Sequence, residues 1–246
     1  MGRARITTFL ILGALLLTCT QAGAQAQERP RLHVLFLGNS LTAANDLPQL
    51  VAAIGARSGR VDVDYETIAP GGVNLEDHWR FTGGRAAVER GGWDVVVMQQ
   101  GPSALPESQV DLKTWAGRFA DEIRLKGGLP ALFAVWPETE RSYAFATVAA
   151  SYRNAARASN SELYPAGTAW KAAWRRNPKL KLWGPDGFHP SPLGSYLAAI
   201  VVYGGLTKSL PPHLPTSLEA SGVRIRISAR TERVLRLSAI EALRHL

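Results

Sequence analysis

Five short apolar runs, at 32–37, 61–68, 94–99, 130–136 and about 162–165, recur along the chain, with helix-patterned stretches between them at 46–58, 107–127, 143–158 and 167–176. Strands separated by helices of that length pair in parallel through right-handed crossovers, and a strand run as apolar as Leu35–Leu37 or Val95–Met98 is one covered on both faces. The alternation therefore predicts an α/β chain, a doubly wound parallel sheet with helices on either side. The first helix is the clearest, with Asp46 as its cap and Leu47, Leu50, Val51 and Ile54 along one face. A strongly apolar helix is expected over 193–206. Beyond the break at Pro211-Pro212-His213-Leu214-Pro215, alternating Val223, Ile225 and Ile227 lead into a helix over Thr231–Leu243. That tail is too short for a core of its own, so residues 31–246 are expected to form one domain with a packing arm from about 214 to 246.

Two segments carry the chemistry. In the first, the run Leu35-Phe36-Leu37 stops at Gly38-Asn39-Ser40, which puts a serine where a strand turns toward a helix. In open α/β sheets that is the end of the strands where ligands bind. In the second, Pro185-Asp186-Gly187-Phe188-His189-Pro190 places a carboxylate three residues before an imidazole, in a Pro/Gly-rich loop ahead of the apolar helix. An isolated G-N-S reads as a helix cap and an isolated D-x-x-H as a cap beside a surface histidine. Together they supply a serine nucleophile in Ser40, a proton acceptor in His189 and an orienting carboxylate in Asp186, in the chain order Ser…Asp…His.

With these two blocks the chain resembles the SGNH, or GDSL-like, hydrolases, over about Arg31 to Leu206. Their first block is a G-x-S after the first strand and their last a D-x-x-H before the final helix of the core. The resemblance implies a three-layer α/β/α sandwich with a five-stranded parallel flavodoxin-like sheet, a serine hydrolase activity and no cofactor. It also implies an oxyanion hole. The second block is a glycine after the second strand, and Ile68-Ala69-Pro70-Gly71-Gly72-Val73-Asn74 stands there. Its role carries to the Gly72 N–H, beside that of Ser40, with Gly71 as the fallback.

The third block departs from the family. A G-x-N-D is usual after the third strand, with the asparagine amide donating to the oxyanion, whereas here Met98 runs into Gln99-Gln100-Gly101-Pro102-Ser103 and Ser103 takes the asparagine's place. Sialate and acetylxylan esterase relatives carry a similar Q-G-E-S arrangement, so Gln100 is expected as the third donor, with Gln99 second; a glutamine amide has the required N–H groups. Both glutamines serving only loop carbonyls is the alternative.

Other groups carry less. Asp77-His78 and Glu138-Thr139-Glu140 lack metal-ligand spacing, so no metal is assigned. Trp136-Pro137 closes the fourth strand on the catalytic side, where an aromatic ring can stack on a sugar, although packing is the default role of any of the seven tryptophans.

Arg3 and Arg5, the apolar stretch Ile6–Leu17 and Ala22-Gly23-Ala24 have the layout of a signal peptide over residues 1–24. Its apolar core is too short for a transmembrane anchor, and the expected location is the periplasm or the exterior. The single cysteine, Cys19, lies in that leader, which leaves the mature chain without disulfides or thiolate ligands. The formal charge of +8 falls by two without Arg3 and Arg5. The basic residues gather at Arg175–Lys181 and across Arg224–Arg236 without the aromatic interleaving of a nucleic-acid surface, and are expected to be solvated faces suited to an anionic envelope. The sequence therefore predicts an exported serine ester hydrolase that removes acetyl or another small acyl group from a carbohydrate or cell-envelope substrate. A lipase, thioesterase or lysophospholipase on the same scaffold, or a noncatalytic carbohydrate-binding protein, are the alternatives. Oligomeric state is not legible.

Overall fold

The structure, a computed structural model, describes residues 1–2 and 29–244. The expected leader from Arg3 onward, Cys19 included, lies outside the described residues. In chain order the elements are β1 (Arg31–Leu37), α1 (Ser40–Ala43), α2 (Leu47–Ser58), β2 (Asp62–Ile68), α3 (Leu75–Arg80), α4 (Gly84–Arg90), β3 (Val95–Met98), α5 (Pro106–Leu125), β4 (Leu129–Phe133), α6 (Phe145–Ala158), β5 (Glu162–Tyr164), α7 (Ala166–Arg176), α8 (Pro192–Thr207), β6 (Ser217–Ala220), β7 (Val223–Arg226) and α9 (Ala229–Arg244). Strands β1 to β5 form one parallel sheet in the order β2-β1-β3-β4-β5. This is the five-stranded flavodoxin-like order, with helices packed against it, that the family resemblance implies.

Burial explains the order. Val34 to Leu37 of β1 and Val95 to Met98 of β3 are buried throughout, as central strands must be, whereas β2 is an edge on which only Val63 is buried. Helix α8 is apolar on every side and all but three of its residues are buried. It packs with α2, α7 and α9, whereas α5 packs with α3, α4 and α6. Gly194, in the first turn of α8, is required by close approach: a Cβ there would lie 2.1 Å from the Leu182 carbonyl oxygen.

The tail is an arm laid on this frame. Strands β6 and β7 form an antiparallel hairpin outside the main sheet, against α2 and α8, and α9 packs on α7 and α8. Only β7 and α9 had a sequence signal; β6 became a strand by pairing with β7. The buried Glu232 carboxylate ties the arm down, accepting from Leu214 N at 3.1 Å and Arg236 Nε at 2.9 Å. The fourth strand is shorter than expected, ending at Phe133. Ala134 N still donates to Tyr164 O at 3.0 Å, and residues 134–136 remain buried beyond the strand's end.

Candidate functional site

The chain leaves β1 for the edge strand β2 on one side and returns to β3 on the other, so a crevice opens at the carboxyl ends of β1 and β3. Ser40 is there, the first residue of α1, capped by Asn39 whose Oδ1 accepts from Leu41 N at 3.1 Å. The histidine arrives from the far end of the chain, on the loop before α8. His189 Nε2 lies 2.9 Å from Ser40 Oγ, and Nδ1 lies 2.5 Å from Asp186 Oδ2. The other carboxylate oxygen of Asp186 accepts from Phe188 N and His189 N, both at 3.0 Å, so the loop folds around the carboxylate that faces its own imidazole. The bond from the His189 ring, then the backbone N–H of Phe188, hold the Asp186 carboxyl below the usual carboxylate range and keep it ionised. An ionised carboxylate only accepts, so Nδ1 carries the proton and Nε2 is free to accept the serine's.

The serine's segment is fixed from the sheet. Buried Gln99 spends three of its four amide bonds on it: Oε1 accepts from Asn39 N at 2.9 Å and Thr42 Oγ1 at 2.7 Å, and Nε2 donates to Asn39 Oδ1 at 3.0 Å, with its second hydrogen on Gln100 O at 2.6 Å. Gly38 makes room for this, since a Cβ there would meet Thr42 Oγ1 at 2.2 Å and Gln99 Oε1 at 2.7 Å. The Gly38 carbonyl is held at 2.7 Å by Nε2 of His78, a fully buried ring whose Nδ1 accepts from the Thr82 hydroxyl at 2.7 Å. A carbonyl oxygen cannot donate, which fixes the tautomer, and burial lowers the pKa of His78. Asp77 closes the capping box of α3 with Asn74. Asp77 and His78, the sequence's weak metal candidates, are thus used in positioning the loop and capping a helix.

A cleft of about 390 Å³ opens beside Ser40, lined also by Gly72, Asn74, Gln100 and Ser103. Gly72 adopts φ +78°, where glycine is favoured, and lies on the cleft; Gly71 does not. Val73 O accepts from Asn39 Nδ2 at 3.0 Å, which ties this turn to the serine segment.

Gln100, the expected side-chain donor, is hydrogen-bonded within the protein. Gln100 lines the cleft, but its Nε2 donates to Ser103 Oγ at 3.1 Å and Ser108 O at 3.3 Å, its Oε1 accepts from Leu75 N at 3.3 Å, and its backbone is clamped by Tyr152. Ser103 passes its own proton to Gly101 O at 2.9 Å. Both amide hydrogens of Gln100 and of Gln99 are therefore spent inside the protein, which is the alternative reading of the two glutamines. Asn74 is different. Its Oδ1 accepts from Asp77 N at 3.0 Å in the capping box, and its Nδ2 has no acceptor among the described residues. Sequence reasoning passed over Asn74, although N-x-x-D one residue after Gly71-Gly72 marks a capped helix start on the turn beside the cleft.

The loop after β4 supports the base. Trp136 is fully buried, stacked on Trp170 at 3.7 Å between centroids, so it is packing and not a platform for a sugar. Its Nε1 donates to Phe188 O at 3.1 Å, and Thr139 N and Oγ1 donate to Gly187 O at 2.8 and 2.7 Å. Glu138 pairs with Arg141 on the rim of the cleft. Asn45, five residues after the serine, donates to Pro190 O and to Ser195 Oγ, each at 2.9 Å.

The sequence matches no protein-family model and no curated protein. Solved structures do match. A candidate SGNH hydrolase from Slackia heliotrinireducens is 26% identical, with a TM-score of 0.61 over 72% of this chain and 99% of that one. A DUF4886 family protein from Bacteroides uniformis is 17% identical with a TM-score of 0.67, over 87% of this chain and 95% of the other. The lipase/acylhydrolase from Enterococcus faecalis is 18% identical with a TM-score of 0.56, over 74% and 98%. An all-parallel 2-1-3-4-5 sheet with a serine at the end of β1 and a histidine before the last core helix defines a class, and by its fold the chain is a member of the SGNH/GDSL-like hydrolase superfamily.

Proposed function

We propose that this protein is an exported serine ester hydrolase that removes acetyl or another small acyl group from a carbohydrate or cell-envelope substrate. The observation that carries the reading is the unbroken relay from Ser40 Oγ through His189 to Asp186, at 2.9 and 2.5 Å, on the wall of a cleft. Ser40 Oγ attacks the acyl carbon while Nε2 of His189 takes its proton; the imidazolium, stabilised by Asp186, returns that proton to the leaving alcohol. Water, activated by the same imidazole, then releases the acid from the acyl-serine. The oxyanion sits against Ser40 N–H and Gly72 N–H, and we assign the side-chain donor to Asn74 in place of Gln100, because its amide hydrogens are the uncommitted ones. The cleft mixes apolar Pro102, Leu105 and Phe188 with Asp111, Glu138 and Arg141, a lining that suits a polar alcohol with a short acyl group.

A fluorophosphonate probe is expected to label wild-type protein at Ser40 and to leave Ser40→Ala unlabelled; an unlabelled wild type would leave a carbohydrate-binding protein on a hydrolase fold. Turnover of p-nitrophenyl acetate is expected to exceed that of the long-chain esters. Preference for long acyl chains would move the assignment to a lipase or lysophospholipase.

A further inference from the structure

Two grooves border the segments that flank His189. One, of about 790 Å³, is lined by Trp174, Trp183 and Pro185; the other, of about 340 Å³, by Arg224 and Arg226 of β7; they share Lys181, Ser191 and Pro192. They therefore adjoin at those three residues as a two-part trough. The two basic clusters, some forty residues apart in the sequence, converge here, since Lys181 belongs to one and both arginines to the other. No aspartate or glutamate lines either groove, whereas the catalytic cleft has Asp111 and Glu138. Arg224 pairs with Glu219, while Lys181 and Arg226 are exposed and have no ion-pair partner among the described residues.

The aromatic end has its own chemistry. Trp174 Nε1 donates to Leu180 O at 2.9 Å and Trp183 Nε1 to Pro137 O at 3.2 Å. With both N–H groups spent, the half-buried indoles offer the trough ring carbon, the surface that packs against the C–H face of a sugar ring. The trough is also fastened to the catalytic loop, through Ser191 N to Leu182 O at 2.8 Å, Ser191 Oγ to Lys181 O at 2.7 Å and Gly184 N to His189 O at 2.7 Å.

We propose that the trough docks an acidic polysaccharide, its sugar rings on Trp174 and Trp183 and its anionic groups on Lys181, Arg224 and Arg226. This deepens the esterase reading and rests on it for the choice of polymer: an acylated acidic glycan offers the ester that the serine site attacks, whereas a nucleic-acid backbone has no carboxylic ester.

Polygalacturonate serves as the probe, with dextran as neutral control and polyuridylate as the nucleic-acid control, at fixed ionic strength. The full chain is expected to bind polygalacturonate in preference to the other two. Lys181→Glu with Arg226→Glu is expected to weaken that binding about tenfold or more, while Arg57→Glu with Lys113→Glu, the same charge change at exposed sites outside the trough, shifts it by less than about twofold. Turnover of p-nitrophenyl acetate should stay within about twofold of wild type in both double variants, because neither touches the cleft. Equal loss in the two pairs, or no binding of polygalacturonate by the wild type, overturns the proposal, as does tighter binding of polyuridylate lost with Lys181 and Arg226. Binding in Ser40→Ala separates this result from the catalytic one: an esterase that fails leaves the trough standing, and a trough that fails leaves the esterase.

Discussion

The two halves of the catalytic pair are held in opposite ways. The serine half is buried and fixed by side chains acting on its own backbone: Gln99 on Asn39 and Thr42, and His78 on Gly38. The histidine half is open, with the side chains of His189 and Asp186 39% and 50% exposed, and outside groups hold it by the carbonyls of Gly187, Phe188 and Pro190. A buried polar network carries fold stability with it, because each broken bond strands a partner in the interior, whereas the carbonyls that hold the histidine loop are exposed or only partly buried and lie nearer to water. Damage to the serine half is then expected to unfold the protein as it inactivates it. Damage to the histidine half should inactivate without unfolding.

The largest test of that difference is His189→Ala, for which kcat on p-nitrophenyl acetate is expected to fall about 10³-fold or more with the melting temperature unchanged; substantial residual turnover would remove His189 as the base. Next is Asn74→Asp, which keeps the capping acceptor and loses the N–H donors. A fall of roughly 10²–10³-fold in kcat with little change in KM marks a donor acting in the transition state, and Gln100→Ala alone producing that pattern would restore the glutamine. Gln99→Ala should cost about 2–3 kcal/mol of stability in chemical denaturation, as well as most of the probe labelling at Ser40, because it strands Asn39 and Thr42.

Asn45→Gly is the counterpart on the open side. Asn45 and Asp46 are consecutive non-glycine residues at φ 56° and 48°, a left-handed pair that side chains rarely adopt. Glycine accepts φ 56° freely while deleting the bonds to Pro190 and Ser195, so stability should hold while kcat drops roughly 10-fold with KM unmoved. A stability loss matching that of Gln99→Ala would erase the contrast between the halves. The smallest effect belongs to pH. Burial lowers the folded pKa of His78, so below the usual imidazole value of about 6.5 the unfolded chain takes up a proton that the folded ring refuses. Its contribution is complete above that pH and is lost as the pH falls toward the folded value. Melting temperatures of His78→Gln, which keeps a donor and an acceptor, should depend less steeply on pH across that window than those of wild type.

The strands were legible as local apolar runs, while their order was implied by the family resemblance, since right-handed crossovers fit more than one order; the short helices α1, α3 and α4 were not legible, being too brief to show a period. Ser40, Asp186 and His189 could be read because each sits in a motif of a few residues. The donor beside them could not. Gln99, Gln100 and Asn74 are all amides on strand-end loops, and the chemistry available to each depends on which hydrogens its neighbours have already taken. Trp136 likewise ends a strand on the catalytic side, yet it is buried under Trp170 and Phe133.

By itself, the sequence determined the parallel α/β frame, the three side chains that meet in the Ser40–His189–Asp186 relay and the positive charge of the tail, since these follow from local pattern and residue type. Only the tertiary structure decided that Asn74 keeps its N–H groups uncommitted, that Asn45 reaches Pro190, and that Lys181 meets Arg224 and Arg226 in one acid-free trough. The reason is physical: hydrogen-bond saturation and charge convergence are properties of neighbours in space, and crossovers of thirty to a hundred and fifty residues bring those neighbours together.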